Sequence, residues 1–333
     1  MYGKLLSKDD YNNLIRKKSV AQVVSYLKHN THYGSLLSDI DENNIHRTKL
    51  EILLKRDIIN DYSKFFKFTS GQLKEFINLL YTKTEIESLK LIFRMFEGGK
   101  AEHGLLEESL VFLSRHDMLN IPKLSLSRDL EEFLSRLQGT DYYKLLRPFI
   151  SENNENRLFN IEMTLDLYYF RNVLNAYRNH LDKGDASIVR DILGMEADIF
   201  NIFWIYRSKN FYNMSNEVIR SYVAQINYRL GKKTIESLIG AEGHEAYADV
   251  LRKTPYGFLF EEENPLFFEH NYNEYVYRLH RTLFRRQPFS IACIISYLRL
   301  KEIEMSNIIS IIEGIRYSLS EGEIIRFVTG MSL

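Results

Sequence analysis

"SVAQVVSYLKHNTHYGSL" (residues 19–36) puts Val20, Val23, Val24 and Leu27 on one side of a helix and then halts it at Thr31-His32-Tyr33. The closing signature recurs: Thr-x-Tyr-x-x-Leu is spelled "THYGSL" at 31–36, "TDYYKL" at 140–145 and "TPYGFL" at 254–259, at intervals of 109 and 114 residues. Leu130, Phe133, Leu134 and Leu137 form the apolar face ahead of the second turn, so helix and turn recur together. Such spacing raises the hypothesis of an internal repeat.

Two further landmarks keep the same beat. An acidic-Asn segment precedes a long helical stretch in each third: Glu42-Asn43-Asn44, Glu152-Asn153-Asn154 and Glu262-Glu263-Asn264. Deeper in each third an acidic pair at i and i+2 opens an apolar run: "EIESLKLIF" from Glu85, "EADIFNIFW" from Glu196 and "EIEMSNIIS" from Glu302, 111 and 106 residues apart. The chain therefore reads as three degenerate copies of a unit of roughly 110 residues. The boundaries this predicts are 1–104, 105–215 and 216–333.

The fold class follows from punctuation. Gly (16) and Pro (5) are scarce in the 333 residues, and Pro122, Pro255, Pro265 and Pro288 fall where helical periodicity stops. No Asn-Gly or Asp-Gly hairpin turn occurs. An all-α fold is expected, with a Tyr-, Phe- and Leu-rich helix near 47–66, 160–181 and 272–286 and a longer, more apolar one near 71–96, 186–210 and 289–318. In the last of these Ile308, Ile311, Ile312, Ile315 and Leu319 form a stripe beside a narrow polar line of Glu304, Asn307 and Ser310. A helix with that pattern packs on several neighbours at once.

Composition removes several function classes. Lys+Arg and Asp+Glu are equal at 44 each, which takes away the usual electrostatic case for nucleic acid. The single cysteine, Cys293, lies in "IACIIS" and reads as a small core hydrophobe rather than a nucleophile. No stretch reaches the ~18 apolar residues a membrane span needs. The expectation is a soluble chain, held at a membrane, if at all, by another protein.

Catalytic signatures fail in turn. "EGGKAEHG" at 97–104 has glycines without phosphate-loop spacing or a preceding strand, and reads as a helix end and loop. No His-Glu-x-x-His or Cys-x-x-Cys exists, so zinc has no support. "DIDENNIHRTKLE" opens like a calcium loop, but Asn44 stands where glycine must make the turn, and Leu50 where the bidentate glutamate belongs. It reads instead as an acidic linker capping the next helix. No catalytic residue, cofactor, metal or small-molecule substrate is expected.

Two charged groups remain as candidate partner-interface residues. Glu87, Asp198 and Glu304 are expected at equivalent places on the three long helices, either as solvated or locally paired positions or as the lining of a shared polar opening. Arg278, Arg281, Arg285 and Arg286 fall at i, i+3, i+7 and i+8, opposite Tyr275, Leu279 and Leu283. Such a stripe is either solvated surface or a docking face for an acidic protein helix.

The stretch "QPFSIACIISYLRLKEIEMSNIISIIEGIRYSL" (287–319) resembles the central-stalk C subunit of archaeal and bacterial V-type (A-type) ATPases, known as the d subunit in the eukaryotic vacuolar enzyme. The likeness includes Pro288-Phe289, Tyr297-Leu298, Lys301-Glu302-x-Glu304, Asn307 and Ile312-Glu313-Gly314, and extends to "LLSKDDY" at 5–11 and "VVSYLKHNTHYGSLL" at 23–37. It covers essentially the whole chain. The resemblance implies three similar helical bundles arranged as a funnel, seated on a membrane rotor ring and receiving the foot of the central axle. It implies a cytoplasmic, peripheral, non-catalytic part of the rotor, a monomer within a hetero-oligomer, that passes torque between ATP-driven rotation and proton or sodium transport. Family members carry another short run before the "LLSKDDY" segment, so the first unit is expected to begin differently here. The competing expectation is a soluble helical adaptor unrelated to rotary motors, with an enzyme whose cavity lies among the bundles as a third.

Overall fold

A computed structural model describes residues 2–42, 44–98, 119–150, 156–226, 228–260 and 267–331. The linkers 152–154 and 262–264, together with Asn43, Pro265 and most of the 97–104 loop, lie outside the described residues. Among those described, the regular structure is fifteen α-helices with short 3-10 turns and no strand, as the punctuation predicts. In chain order they are α1 (Lys8–Ile15), α2 (Val20–Asn30), α3 (Arg47–Phe68), α4 (Gly71–Gly98), α5 (Ile121–Ser125), α6 (Leu130–Arg136), α7 (Asp141–Ile150) and α8 (Arg157–His180). There follow α9 (Lys183–Asn210), α10 (Asn216–Ser221), α11 (Lys232–Gly240), α12 (Gly243–Arg252), α13 (Phe268–Arg286), α14 (Ile291–Arg316) and α15 (Glu321–Ile325). Among the described residues no helix is long and apolar enough to cross a membrane.

The chain forms two compact units, one built from Met1–Phe65 with Glu262–Leu333 and the other from Phe66–Glu261. In the first, the core joins Leu14 of α1, Val23, Val24 and Leu27 of α2, Leu50 and Leu54 of α3, Ile308, Ile311 and Ile312 of α14, and Ile324 of α15. The isoleucine stripe of α14 is thus where it packs against the amino-terminal helices. In the second unit α4 packs along α8 and α8 along α9; α5 rests on α4, and α11 and α12 rest on α9.

Local chemistry starts and stops these helices. Ser7 and Asp10 exchange hydrogen bonds across the first turn of α1, and Ser320 and Glu323 do the same for α15. Pro122 sits in the first turn of α5, where its missing N–H leaves no bond unmade, whereas Pro148 lies inside α7.

The recurring threonine is a hydroxyl clasp. Thr31 donates to the Leu27 carbonyl and accepts from the Tyr33 N–H at 3.2 Å. Thr254 donates to Leu251 at 2.7 Å and accepts from Tyr256 N–H at 3.1 Å. Thr140 donates to Leu137 at 2.7 Å but accepts from Tyr143, one residue later, because the chain there runs straight into α7. Gly34 explains the tighter first turn: a Cβ at that position would stand 2.7 Å from the Lys28 carbonyl oxygen.

The polar line of α14 faces inward. Asn307 is buried, donating its amide to the Thr329 carbonyl at 2.9 Å and accepting from the Thr329 N–H at 2.8 Å. Asn201 of α9 makes the same reciprocal pair with Ala224, at 2.9 and 2.8 Å. Each amide satisfies both backbone groups of a residue that has left regular structure. Asn307→Leu should strand the Thr329 N–H and C=O away from water and lower the unfolding free energy by about 3 kcal/mol. The check is a urea melt, read as a lower midpoint at unchanged slope.

Candidate functional site

The three tyrosines of the repeated turn are all buried, and each hydroxyl donates to a carboxylate on a long helix. Tyr33 reaches Glu304 Oε1 of α14 at 2.7 Å, Tyr256 reaches Asp198 Oδ2 of α9 at 2.8 Å, and Tyr142 reaches Glu85 Oε2 of α4 at 3.2 Å. Tyr142 and Tyr256 lie 57 and 58 residues after their acids, whereas Tyr33 lies 271 residues before Glu304. The second and third turns therefore dock on a long helix that precedes them in the chain, and the first turn docks on one from the chain's far end.

The acids do more than receive a tyrosine. Asp198 Oδ2 also accepts the backbone N–H groups of Arg229 (2.9 Å) and Leu230 (3.1 Å), just ahead of α11. Glu304 Oε2 accepts the N–H of Leu6, just ahead of α1. Burial pushes the Asp198 carboxyl above the usual carboxylate range, although Tyr256 and the two backbone donors pull the other way. Burial and the adjacent carboxylate drive the Tyr256 and Tyr33 hydroxyls well above their ordinary range, so both remain protonated donors.

Glu87 does not share this environment. Its side chain is 56% exposed and pairs with Lys90 at 3.1 Å, while Glu85, two residues earlier, takes the buried place. The expected set Glu87, Asp198 and Glu304 is thus corrected to Glu85, Asp198 and Glu304. With relative exposures of 5%, 0% and 2% all three acids are buried, and Glu304 lies in the wall of a cleft of about 350 Å³ that Leu6, Tyr11 and Arg281 also line. Their donors come from their own compact unit.

Around Glu304 the first unit holds a charge cluster. Lys301, 1% exposed, donates from Nζ to Glu304 Oε1 (3.0 Å), Tyr33 Oη (2.9 Å) and Asp57 Oδ2 (3.1 Å), and contacts His32 Nε2. Burial alone would raise the Asp57 carboxyl, but hydrogen bonds from His32 and Lys301 and the lysine charge bring it down to about 2. In the second unit the buried Lys90 of α4 similarly pairs with Asp166 of α8.

The arginine stripe lies on α13, though its opposite face is not the one expected. Val276 and His280 form the buried face, His280 meeting Ser296 Oγ of α14 at 3.0 Å, while Tyr275, Leu279 and Leu283 are only half-buried. Arg278, Arg285 and Arg286 are exposed, and among the described residues no carboxylate lies within ion-pair distance of them. Arg281 is half-buried and lies over the Tyr277 ring, 5.3 Å from its centroid. The helix ends in Gln287 and Pro288, both exposed, and a fully exposed Phe289. Cys293 is half-buried, and burial pushes its thiol up, away from the reactive thiolate.

The geometry around the acids makes two measurable statements. Tyr33→Phe and Tyr256→Phe each remove a donor from a buried carboxylate and should cost about 2 kcal/mol of stability. Tyr142→Phe should cost less, since its bond is the longest of the three, and urea midpoints of the three variants will order them. The second statement concerns acid. Because the Asp57 carboxyl titrates near 2 when folded and near ~4 when unfolded, its contribution, about 2 kcal/mol, is full above about pH 5 and is lost as pH falls toward 2. The stability gap between wild type and Asp57→Asn should therefore narrow from pH 6 to pH 3 in urea melts.

The family model described as ATP synthase (C/AC39) subunit matches residues 1–327. The A-type ATP synthase C subunit of Methanocaldococcus jannaschii is 24% identical over 332 residues, covering 97% of this chain and 82% of that protein. The protein of the same name from Methanosphaera stadtmanae is 22% identical over 315 residues, or 92% and 79% of the two chains. That from Methanococcoides burtonii is 26% identical over 283 residues, or 83% and 76%. With helices as the regular structure of its described residues, and matched almost end to end, the chain belongs to the ATP synthase (C/AC39) subunit family.

Proposed function

We propose that this chain is the central-stalk rotor subunit of its ATP synthase complex, linking the axle of the soluble sector to the membrane rotor ring and carrying torque for proton or sodium transport. The observation that carries the reading is the match over residues 1–327 to a family of ATP synthase subunits. In this role the chain has no catalytic site of its own, and it sits peripherally on the cytoplasmic side as one monomer, attached through the ring. Axle and ring are its partners.

The bundle chemistry supports the role. We take the chain as three copies of one bundle, with boundaries near 104 and 215, arranged as a funnel. Each copy's tyrosine turn is tied to a long helix by a buried carboxylate. A torque-bearing part must resist shear between its helices, and directional polar ties do so better than interchangeable apolar contacts. Contact with a rotating partner should then be spread over many modest interactions and charge complementarity. Arg278, Arg285 and Arg286, exposed on α13, are the proposed joint with an acidic helix of the axle or ring, and Arg281 braces Tyr277 beneath them.

The test is reconstitution of Arg278→Glu/Arg285→Glu/Arg286→Glu with axle and ring over a salt series. Each exposed pair contributes ~0–1 kcal/mol, so the triple reversal should weaken assembly about tenfold at low salt and converge on wild type as screening grows. Equal assembly and equal coupled ion pumping at low salt would remove α13 from the joint. Failure of the wild-type chain to join axle or ring at all would overturn the rotor reading itself.

A further inference from the structure

The second unit contains a cleft of about 530 Å³ between α8, α9, residues 221–226 and Tyr228. Three arginines line it and no carboxylate does: Arg171 and Arg178 from α8, Arg190 from α9. Arg190 is engaged by its neighbour Asp191, at 3.0 Å, while no carboxylate among the described residues pairs with Arg171 or Arg178. These two stand seven residues apart, two helical turns or about 10 Å, with Asn175 on the same face between them. Their long side chains can close on one group from both sides.

The cleft is preorganised. Arg178 donates from Nε to the hydroxyl of Tyr177 at 3.0 Å and lies 5.5 Å from that ring's centroid; Tyr177 is itself 5% exposed. A guanidinium so held loses less freedom when it binds. The floor is equally specific. Gly194 lies inside α9, where glycine is a poorer helix former than alanine. A Cβ there would stand 2.5 Å from the Tyr228 ring, so the glycine is what lets that ring lie flat on the helix as a wall of the cleft. Beside the arginines runs an apolar strip of Leu167, Phe170, Leu174 and Ile226.

We propose that this cleft binds a phosphate group borne on an apolar body, Arg171 and Arg178 taking the phosphate oxygens, Asn175 adding an amide, and the apolar strip holding the rest. Arginine suits phosphate because its planar fork offers paired donors that keep their charge. The volume suits a headgroup-sized ligand, within the range usual for small-molecule sites. A phospholipid headgroup and a free polyphosphate share this chemistry, and the two are separable by experiment. The proposal concerns the isolated chain and does not depend on the rotor reading.

The test uses calorimetry on the purified full-length chain with two probes, dioctanoyl phosphatidic acid below its aggregation threshold and inorganic pyrophosphate. Binding of the lipid that falls by about tenfold or more in Arg171→Gln/Arg178→Gln, and is unchanged in Arg278→Gln on α13, supports the site and assigns it to a lipid headgroup. Equal binding of pyrophosphate with the same loss supports the site and assigns it to a soluble phosphate. Both arginines are exposed on α8, so the double variant should keep its helical circular dichroism. Absence of binding by either probe, or binding that the double variant leaves intact, overturns the proposal. Gly194→Ala gives an independent arm: it should displace Tyr228 and weaken lipid binding, and unaltered affinity would exclude the aromatic wall from the site.

Discussion

A carboxylate buried on a long helix is the constraint from which the packing around it follows. Removed from water, such a group must collect donors, and few are within reach of a helix interior. Asp198 finds them at both ends of one helix pair: the backbone N–H groups of Arg229 and Leu230 where α11 begins, and the Tyr256 hydroxyl where α12 ends. Glu304 does the same for α1 and α2 through Leu6 and Tyr33. One side chain thereby fixes the entry and the exit of two helices. The apolar face between the ends, Val23, Val24 and Leu27 in one case and Tyr247, Ala248 and Leu251 in the other, then has a single way to settle.

The two acids are satisfied differently. Glu304 has the ammonium of Lys301 at 3.0 Å, which also spans to Asp57 on α3 and to the Tyr33 hydroxyl, so two helices and a turn meet in one network. Asp198 accepts only hydroxyl and amide donors, and burial is accordingly the larger influence on it. A buried ion pair contributes little net stability against a well-packed apolar replacement, because desolvation offsets the Coulomb gain. What it adds is direction. Apolar stripes tolerate rotation about the helix axis that a bond from Lys301 to Asp57 does not.

Much of this is legible in the sequence, and the reasons the reading stops are physical. Helix positions follow from periodicity and proline placement, which act locally, and Thr31, Thr140 and Thr254 mark turns because each hydroxyl closes on a carbonyl three or four residues away. The acids are harder. An i, i+2 pair offers two candidates on different sides of a helix, and only the packing selects Glu85 over Glu87 in α4 while selecting the second acid in α9 and α14. Asn307 is visible as part of a polar line, but its partner Thr329 lies beyond a turn that periodicity does not describe. Lys301 reads as an ordinary polar residue of a motif, since its partners Asp57 and Tyr33 are more than 200 residues away in sequence. The arginines of the α8 cleft carry a signal, the seven-residue spacing of Arg171 and Arg178, which has no meaning until residues 221–226 and Tyr228 are placed beside them.

The pairing of Leu6 and Tyr33 with Glu304 also sets an order of events during synthesis. The separations are 298 and 271 residues, so the first two helices emerge from the ribosome long before the helix that holds them. Loops of that length form slowly and only after the intervening chain exists. The second unit, continuous from Phe66 to Glu261, is complete before α13 and α14 are made and can fold first. Until then Val23, Val24 and Leu27 lack the isoleucine face of α14. The nascent chain thus carries the apolar face of α2 with only α1 and α3 beside it for most of its translation, and a product that ends before Glu304 lacks the carboxylate that holds Leu6 and Tyr33.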